Sequence, residues 1–321
     1  MVSSVAIVGA GVSGLYLARL LHDAGHAVTV FEKSRGPGGR LCGRRVATGQ
    51  HDMGAPYVSD RTESPWSDRL LEWEQAGVLA RWSPRVARFN GQECIPLPPQ
   101  PPRWVGVPYH NRLSHHLASG LTLIPSFRVT GLTRSAHGWQ VASDDGQYAT
   151  VFDWVVTAVP PIQSHAITAG FLPEPTTQMG PTFTLMLETH PDVAMALDWV
   201  WGDEVMGTLV ATHRKPGRVA DRGLWSLHAT VPWSTRQVDQ PLEWVAETLT
   251  QVFRDVTGHK GEVLGVQVHR WLYASVVTPP DSPVLDPGIR LGRVGDWTIQ
   301  GDTWGALQSA DLMMKWLSDA I

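Results

Sequence analysis

Cysteine is almost missing from this 321-residue chain. Cys42 and Cys94 are its only two, too few for a disulfide framework or a cysteine-based zinc site. A reduced, cytoplasmic setting is the resulting expectation. Lysine is scarce as well. Lys33, Lys215, Lys260 and Lys315 are the only four among 26 basic residues, a skew that GC-rich coding explains as readily as function does. Neither sign of charge dominates: 30 Asp plus Glu give a formal net charge of −4. That balance leaves no electrostatic footprint for nucleic acid or an anionic membrane surface, so neither is an expected partner. No run approaches the ~18 apolar residues of a membrane span. The first apolar run, Val5 to Val8, is too short for the core of a secretory signal, and glycines follow it.

What the chain does have is apolar mass. With 43% hydrophobic residues it can bury a sizeable core, and its length suggests roughly two domains. Fifteen tryptophans suit core packing first and a slot for a flat ligand second.

The first thirty-two residues carry the strongest pattern. Val5 to Val8 reads as a short buried strand. Gly9-Ala10-Gly11-Val12-Ser13-Gly14 follows at once. A helix then places Leu17, Leu20, Leu21 and Ala24 on one face and ends near Gly25. A second strand runs from Ala27 to Phe31 and meets Glu32, 23 positions after Gly9. Strand, glycines, helix and acid in this order make a dinucleotide-binding fingerprint. Gly9 makes the tight turn, Gly11 admits a pyrophosphate to the backbone, and Gly14 lets helix and strand pack closely. The helix N-terminus offers free N–H groups to phosphates, and Glu32 can accept hydrogen bonds from a ribose. A bland glycine turn with an incidental acid is the competing reading. The glycines alone do not separate FAD from NAD.

After Glu32, four arginines, Arg35, Arg40, Arg44 and Arg45, fall within the eleven positions 35–45, around Gly38-Gly39. Guanidinium groups grip phosphates in a bidentate way. Glutamate followed by Gly-Gly-Arg resembles the FAD site of the glutathione-reductase-2-like flavoproteins, which include the amine oxidases. Phe152 to Pro161 looks like that group's strand returning to the FAD domain. Val294-Gly295-Asp296-Trp297 and Gly301-Asp302-Thr303-Trp304-Gly305-Ala306 are similar to its flavin-side segment. Narrower blocks resemble the renalase branch: Arg35 to Arg40, Asp52-Met53-Gly54-Ala55-Pro56-Tyr57, Pro102 to Pro108, Leu227 to Ser234 and Arg270 to Ala274. Leu41-Cys42-Gly43, Tyr109-His110 and Ala310 depart from that branch's pattern.

The resemblance implies an α/β protein. A Rossmann-type FAD-binding domain would comprise residues 1–62, 120–163 and 285–321. A discontinuous α+β substrate domain on an antiparallel sheet would comprise 63–119 and 164–284. Strands are expected at Thr182–Glu188, Thr208–His213, Leu224–Thr230 and Val263–Tyr273, with a helix marked by Leu242, Val245, Ala246, Leu249 and Phe253. The implied noncovalent FAD site comprises Gly9, Gly11, Val12, Ser13, Gly14, Glu32, Lys33, Gly39, Arg40, Gly54, Ala55, Val129, Gly295, Asp296, Thr303, Trp304 and Ala306. In it, Asp296 would hold the ribityl chain, and the last helix would point its N-terminus at the flavin.

Two donor classes compete. An amine needs deprotonation, and related amine oxidases commonly place a lysine beside the flavin. Here Lys215, in Arg214-Lys215-Pro216-Gly217, reads as a loop tip. A dihydronicotinamide needs no base, because hydride loss makes its ring aromatic. The renalase resemblance implies this donor, as 1,2- and 1,6-dihydroNAD(P), with O2 as acceptor and H2O2 as product. The alternatives are an amine oxidase or desaturase, and a flavin-binding scaffold without turnover. Trp225, His228, Trp271 and Tyr273 are the expected cavity wall. Trp271 and Tyr273 share a strand face, whereas Trp225 and His228 cannot. His228 is either a structural histidine or a group that orients a substrate carboxamide. Arg270 reads as one half of an ion pair. No metal site is expected; the adjacent His115 and His116 cannot share an ion from one helix face.

Overall fold

A computed structural model describes residues 2–63, 65–191, 196–219 and 221–320. The expected domain limits at residues 1 and 321 lie outside the described residues. The chain divides into two compact units. The first comprises Met1–Gly39, Ser114–Met179 and Val276–Ile321, and the second Arg40–Leu113 and Gly180–Ser275. These boundaries move residues 40–62 out of the expected nucleotide-binding domain and 114–119, 164–179 and 276–284 into the unit that holds it. The reason for the first shift is pairing. Strands Gly43–Val46 and Gly49–Asp52 form their own hairpin, and Asp52 is ion-paired to Lys215 and Arg218 of the second unit.

The first unit is built on β1 (Ser4–Val8), α1 (Val12–Asp23) and β2 (Ala27–Phe31). Its six-stranded sheet has the order Val284–Asp286, Leu291–Arg293, Trp154–Thr157, β1, β2, Thr122–Ile124. All neighbours are parallel except the Val284–Asp286 edge strand. Val5, Ala6, Ile7 and Val8 are all buried, as a strand covered on both faces requires. Ile7 faces α1, whose Gly14 sits against it. Ala6 and Val8 face a cluster with Phe31, Trp139, Val141 and Phe152. That cluster includes side chains of the small antiparallel sheet Val129–Ser135, Gly138–Ser143 and Gly146–Gln147. Because β1 has β2 on one side and Trp154–Thr157 on the other, its carboxyl end is a switch point, where open α/β sheets bind ligands.

The second unit carries a seven-stranded sheet. Its order is Val263–Val276, Met179–Thr189, Gly223–Ala229, Met206–Ala211, Trp199–Trp201, Val86–Phe89, Cys94–Pro96. The four expected strands are present, with the second ending at Ala211 and passing into a short 3-10 turn, Thr212–Arg214. The sheet is not wholly antiparallel. Trp199–Trp201 and Val86–Phe89 run parallel; more than a hundred residues separate them in the chain, so no hairpin dictates their direction. Helix Leu242–Thr257 packs Val245, Leu249, Phe253 and Val256 onto Phe183, Leu185, Trp225 and Leu227. Gly258, in the left-handed conformation, ends it. Leu242 stays partly exposed at the helix start.

Candidate functional site

The glycines after β1 do three different jobs. Gly9 has φ +111, and a Cβ there would lie 2.8 Å from the Ala158 carbonyl oxygen. A Cβ on Gly14 would lie 2.1 Å from the Gly9 carbonyl oxygen and 3.2 Å from Ile7, so no side chain fits between helix and strand. At Gly11 a Cβ would meet no protein atom within 4 Å. Nothing in the protein requires glycine at position 11, and the space it leaves open adjoins the first turn of α1. Gly11 caps α1 without any side-chain hydrogen bond, which leaves the first-turn N–H groups around Val12 and Ser13 uncapped by a side chain. Gly39, at φ +51, approaches Gly11; its Cβ would lie 3.0 Å from the Gly11 Cα.

This asymmetry yields a sharp expectation. Gly14→Ala should disrupt the unit, because the clash is with backbone. Gly11→Ala should leave the unfolding free energy within about 1 kcal/mol while depleting any nucleotide cofactor retained on purification. Denaturant titration alongside cofactor content checks both, and equal destabilisation by the two variants would contradict the assignment.

Glu32 is buried at the end of β2. Its Oε2 accepts from the Ala10 N–H at 2.8 Å and its Oε1 from the Ser34 N–H at 2.7 Å. The carboxylate therefore braces the glycine turn as well as offering its remaining lone pairs to a ligand. Lys33 lies beside it and is exposed, and Val129 is buried at the start of its strand. Near the other end of the chain, Asp296 is buried and its carbonyl oxygen accepts from Ile299, Gln300 and Gly301. Helix Thr303–Ala320 follows. Asp302 caps it, its Oδ1 accepting from the Gly305 N–H at 2.7 Å, so part of the helix end is satisfied within the protein. Trp304 and Ala306 are buried and Thr303 is half-buried. Arg40, Gly54 and Ala55 belong to the second unit, where the Arg40 guanidinium donates to the Ala274 carbonyl at 2.9 Å and Ala55 N–H donates to the Arg40 carbonyl at 2.7 Å.

The second unit holds a buried polar cluster that the sequence did not announce. Lys215 is no loop tip: its side chain is fully buried. Its Nζ donates at 2.6 Å to Asp52 Oδ2 and at 2.6 Å to the Pro56 carbonyl. Arg218 Nη2 donates to both Asp52 oxygens, at 3.1 and 2.9 Å, and Nη1 donates to the Pro108 carbonyl. Two cations thus clamp one carboxylate and two loops. Burial alone would raise the Asp52 carboxyl, but Lys215 and Arg218 outweigh it and hold it well below the usual carboxylate range. Burial pushes His110 down to about 3, and the charges of Lys215 and Arg218 add to that. The Gly106 N–H donates to its Nδ1 at 3.1 Å.

His228 and Trp271 meet through a residue absent from the sequence expectations, Thr184. Thr184 Oγ1 lies 3.1 Å from His228 Nδ1 and 3.2 Å from Trp271 Nε1. Trp271 Nε1 also reaches the Met53 carbonyl at 3.3 Å, and the His269 ring stands edge-on to Trp271. Burial and the charge of Lys215 push His228 down to about 4. Tyr273 lies two positions along the same strand, half-buried. Trp225 is a correction. It is buried on the opposite face of its strand, ring to ring with Phe253 at 5.5 Å, and its Nε1 donates to Thr189. It is a core residue, because odd positions of Gly223–Ala229 face the helix. Arg270 is another: its guanidinium donates to the Gln240 carbonyl at 2.7 Å and lies over the Phe183 ring, and among the described residues it makes no ion pair. Among the described residues no cluster of three or more His, Cys, Asp or Glu could hold a metal ion, and no helix is long and apolar enough to cross a membrane.

A family model described as an NAD(P)-binding Rossmann-like domain matches residues 7–72. The chain is 32% identical over 117 residues, 34% of its length, to amine oxidase [flavin-containing] B of Cavia porcellus. It is 60% identical over 70 residues, 21% of its length, to an L-amino-acid oxidase of Siganus canaliculatus. These matches span 22% and 13% of the relatives' own lengths. Among solved structures, cyclohexylamine oxidase from Brevibacterium oxydans IH-35A superposes with a TM-score of 0.76 at 12% identity, covering 99% of this chain and 100% of that one. The fold is shared. A candidate protoporphyrinogen oxidase from Exiguobacterium sp. 255-15 matches as well, with a TM-score of 0.78 at 11% identity over 98% of each chain. A Rossmann-type domain joined to a discontinuous α+β unit is thus the architecture of this chain.

Proposed function

We propose that the chain is an FAD-dependent oxidoreductase of renalase type, oxidising 1,2- and 1,6-dihydronicotinamide dinucleotides to NAD(P)+ with O2 reduced to H2O2. The observation that carries the cofactor reading is the open space at Gly11, beside uncapped amides at the switch point of a parallel sheet. The residues present fit FAD. Gly9, Gly11, Val12, Ser13 and Gly14 would accept the diphosphate, Glu32 the adenosine ribose, and Gly295, Asp296 and the start of Thr303–Ala320 the flavin end. When bound noncovalently there, FAD supplies the acceptor for a hydride from the donor. The flavin-containing and amino-acid oxidases among the relatives support the same cofactor.

The donor class rests on Lys215. Its amine is occupied by Asp52 and the Pro56 carbonyl, which leaves it poorly placed to take a proton from an amine substrate. A dihydropyridine ring asks for no such base, and Trp271 offers an aromatic face that suits a pyridinium product. The second reading, an amine oxidase, is favoured by the names of the relatives and of cyclohexylamine oxidase. Anaerobic stopped-flow mixing separates them. The dihydronicotinamide isomers should bleach the flavin absorbance faster than any member of a primary-amine panel. Rapid bleaching by amines alone would overturn the proposal, and a bound flavin that no donor reduces would indicate a scaffold.

A further inference from the structure

The hydroxyl of Thr184 has two hydrogen-bonding neighbours and one proton. Trp271 Nε1 can only donate, so at 3.2 Å it makes Thr184 Oγ1 an acceptor. The remaining neighbour is His228 Nδ1 at 3.1 Å. Among the described residues no other acceptor is within reach of that hydroxyl, so its proton goes to His228 Nδ1. A neutral imidazole that accepts at Nδ1 carries its proton on Nε2. His228 Nε2 is itself buried and has no hydrogen-bond partner among the described residues. A buried N–H without an acceptor is costly and rare in a native protein. The strand register makes this arrangement rigid, because Thr184 lies directly opposite His228 on the neighbouring antiparallel strand.

We infer that Thr184 is a positioning residue that locks His228 as its Nε2–H tautomer, so that Nε2 donates a hydrogen bond to the carboxamide oxygen of the substrate. This rests on the dihydronicotinamide reading above and names how that ring is oriented. The donor is neutral: with its pKa pushed down to about 4 by burial and the charge of Lys215, His228 carries a single ring proton at neutral pH, and the bond from the Thr184 hydroxyl to Nδ1 places it on Nε2. An ammonium group has no lone pair to offer such a donor; a carbonyl oxygen has two.

The experiment uses the holoprotein labelled with 15N-histidine. Long-range 1H–15N correlation should find His228 with an unprotonated Nδ1 and a protonated Nε2. Thr184→Val keeps the volume and removes the hydroxyl, and should shift His228 toward the other tautomer or a mixture. Thr184→Ser should restore the native spectrum. Calorimetry with nicotinamide and with pyridine then reads the carboxamide contact. Wild type and Thr184→Ser should prefer nicotinamide about tenfold, and Thr184→Val should lose that preference while retaining FAD. A proton on Nδ1 in the wild type, or an unchanged tautomer in Thr184→Val, would overturn the positioning role. Equal affinity of wild type for nicotinamide and pyridine would overturn the carboxamide contact. Failure of dihydronicotinamides to reduce the flavin is a separate result, because the tautomer is read without any donor.

Discussion

Asp52→Ala is expected to cost about 3–5 kcal/mol of unfolding free energy, the range for breaking a buried pair from one side. The size follows from what remains. Lys215 and Arg218 would be left as two cations with fully buried side chains and no carboxylate to offset their desolvation. Lys215→Met should cost less, because Asp52 keeps both bonds from Arg218. In the double variant Asp52→Ala/Lys215→Met one of the two stranded charges is gone, so its loss should fall well short of the sum of the singles. Urea titrations of the four proteins check this, and additive losses would show that the ion pair is not the source. The pH dependence has a definite sign. A carboxyl held low in the folded state stabilises above its unfolded value near 4, and that contribution fades as pH falls through it toward the folded value. Asp52→Asn should therefore be least harmful in acid.

Acid itself is expected to unfold the protein earlier than the carboxylates alone would. His51 is pushed down to about 4, chiefly by burial. His110 is pushed down to about 3 and His228 to about 4. Each binds a proton in the unfolded chain near pH 6.5 and refuses it in the folded one. Between about pH 6 and pH 4 the unfolded state thus holds up to three extra protons. Stability should fall with acidity by about 1.4 kcal/mol per pH unit for each histidine, or about 4 together. Burial lowers His213 and His269 in the same direction, which adds to the slope. Chemical denaturation across pH 7 to 4.5 reads it. His110→Gln should reduce the slope by about 1.4 kcal/mol per pH unit, whatever it does to stability at pH 7. A variant with the wild-type slope would show that His110 protonates freely in the fold.

The nucleotide-binding half was legible because its signals are local. Strand, glycines, helix and Glu32 lie within 32 consecutive residues, and each follows from steric or hydrogen-bond needs of its neighbours. Even so, the glycines looked alike in sequence, and only the packing separates Gly14, which the protein needs, from Gly11, which it does not. Helix Leu242–Thr257 was legible for the same reason, from an apolar stripe at helical spacing. The cluster around Asp52 was not. Lys215 lies 163 positions from Asp52, and no local pattern links them. Its i, i+3 spacing to Arg218 across a Pro-Gly turn looks like a solvated loop in any sequence.

The sequence by itself determined the order of elements, the place of the tight glycine turn and the rule that Trp225 and His228 point to opposite sides of one strand. Period-two alternation fixes relative faces and says nothing of which face meets a helix. Only the tertiary structure decided that Trp225 goes to the core with Phe253 and that His228 goes to Thr184 and Trp271. The same holds for the charges. Whether a lysine is solvated or buried depends on a carboxylate brought to it from far along the chain, and that meeting exists only once the strands have paired.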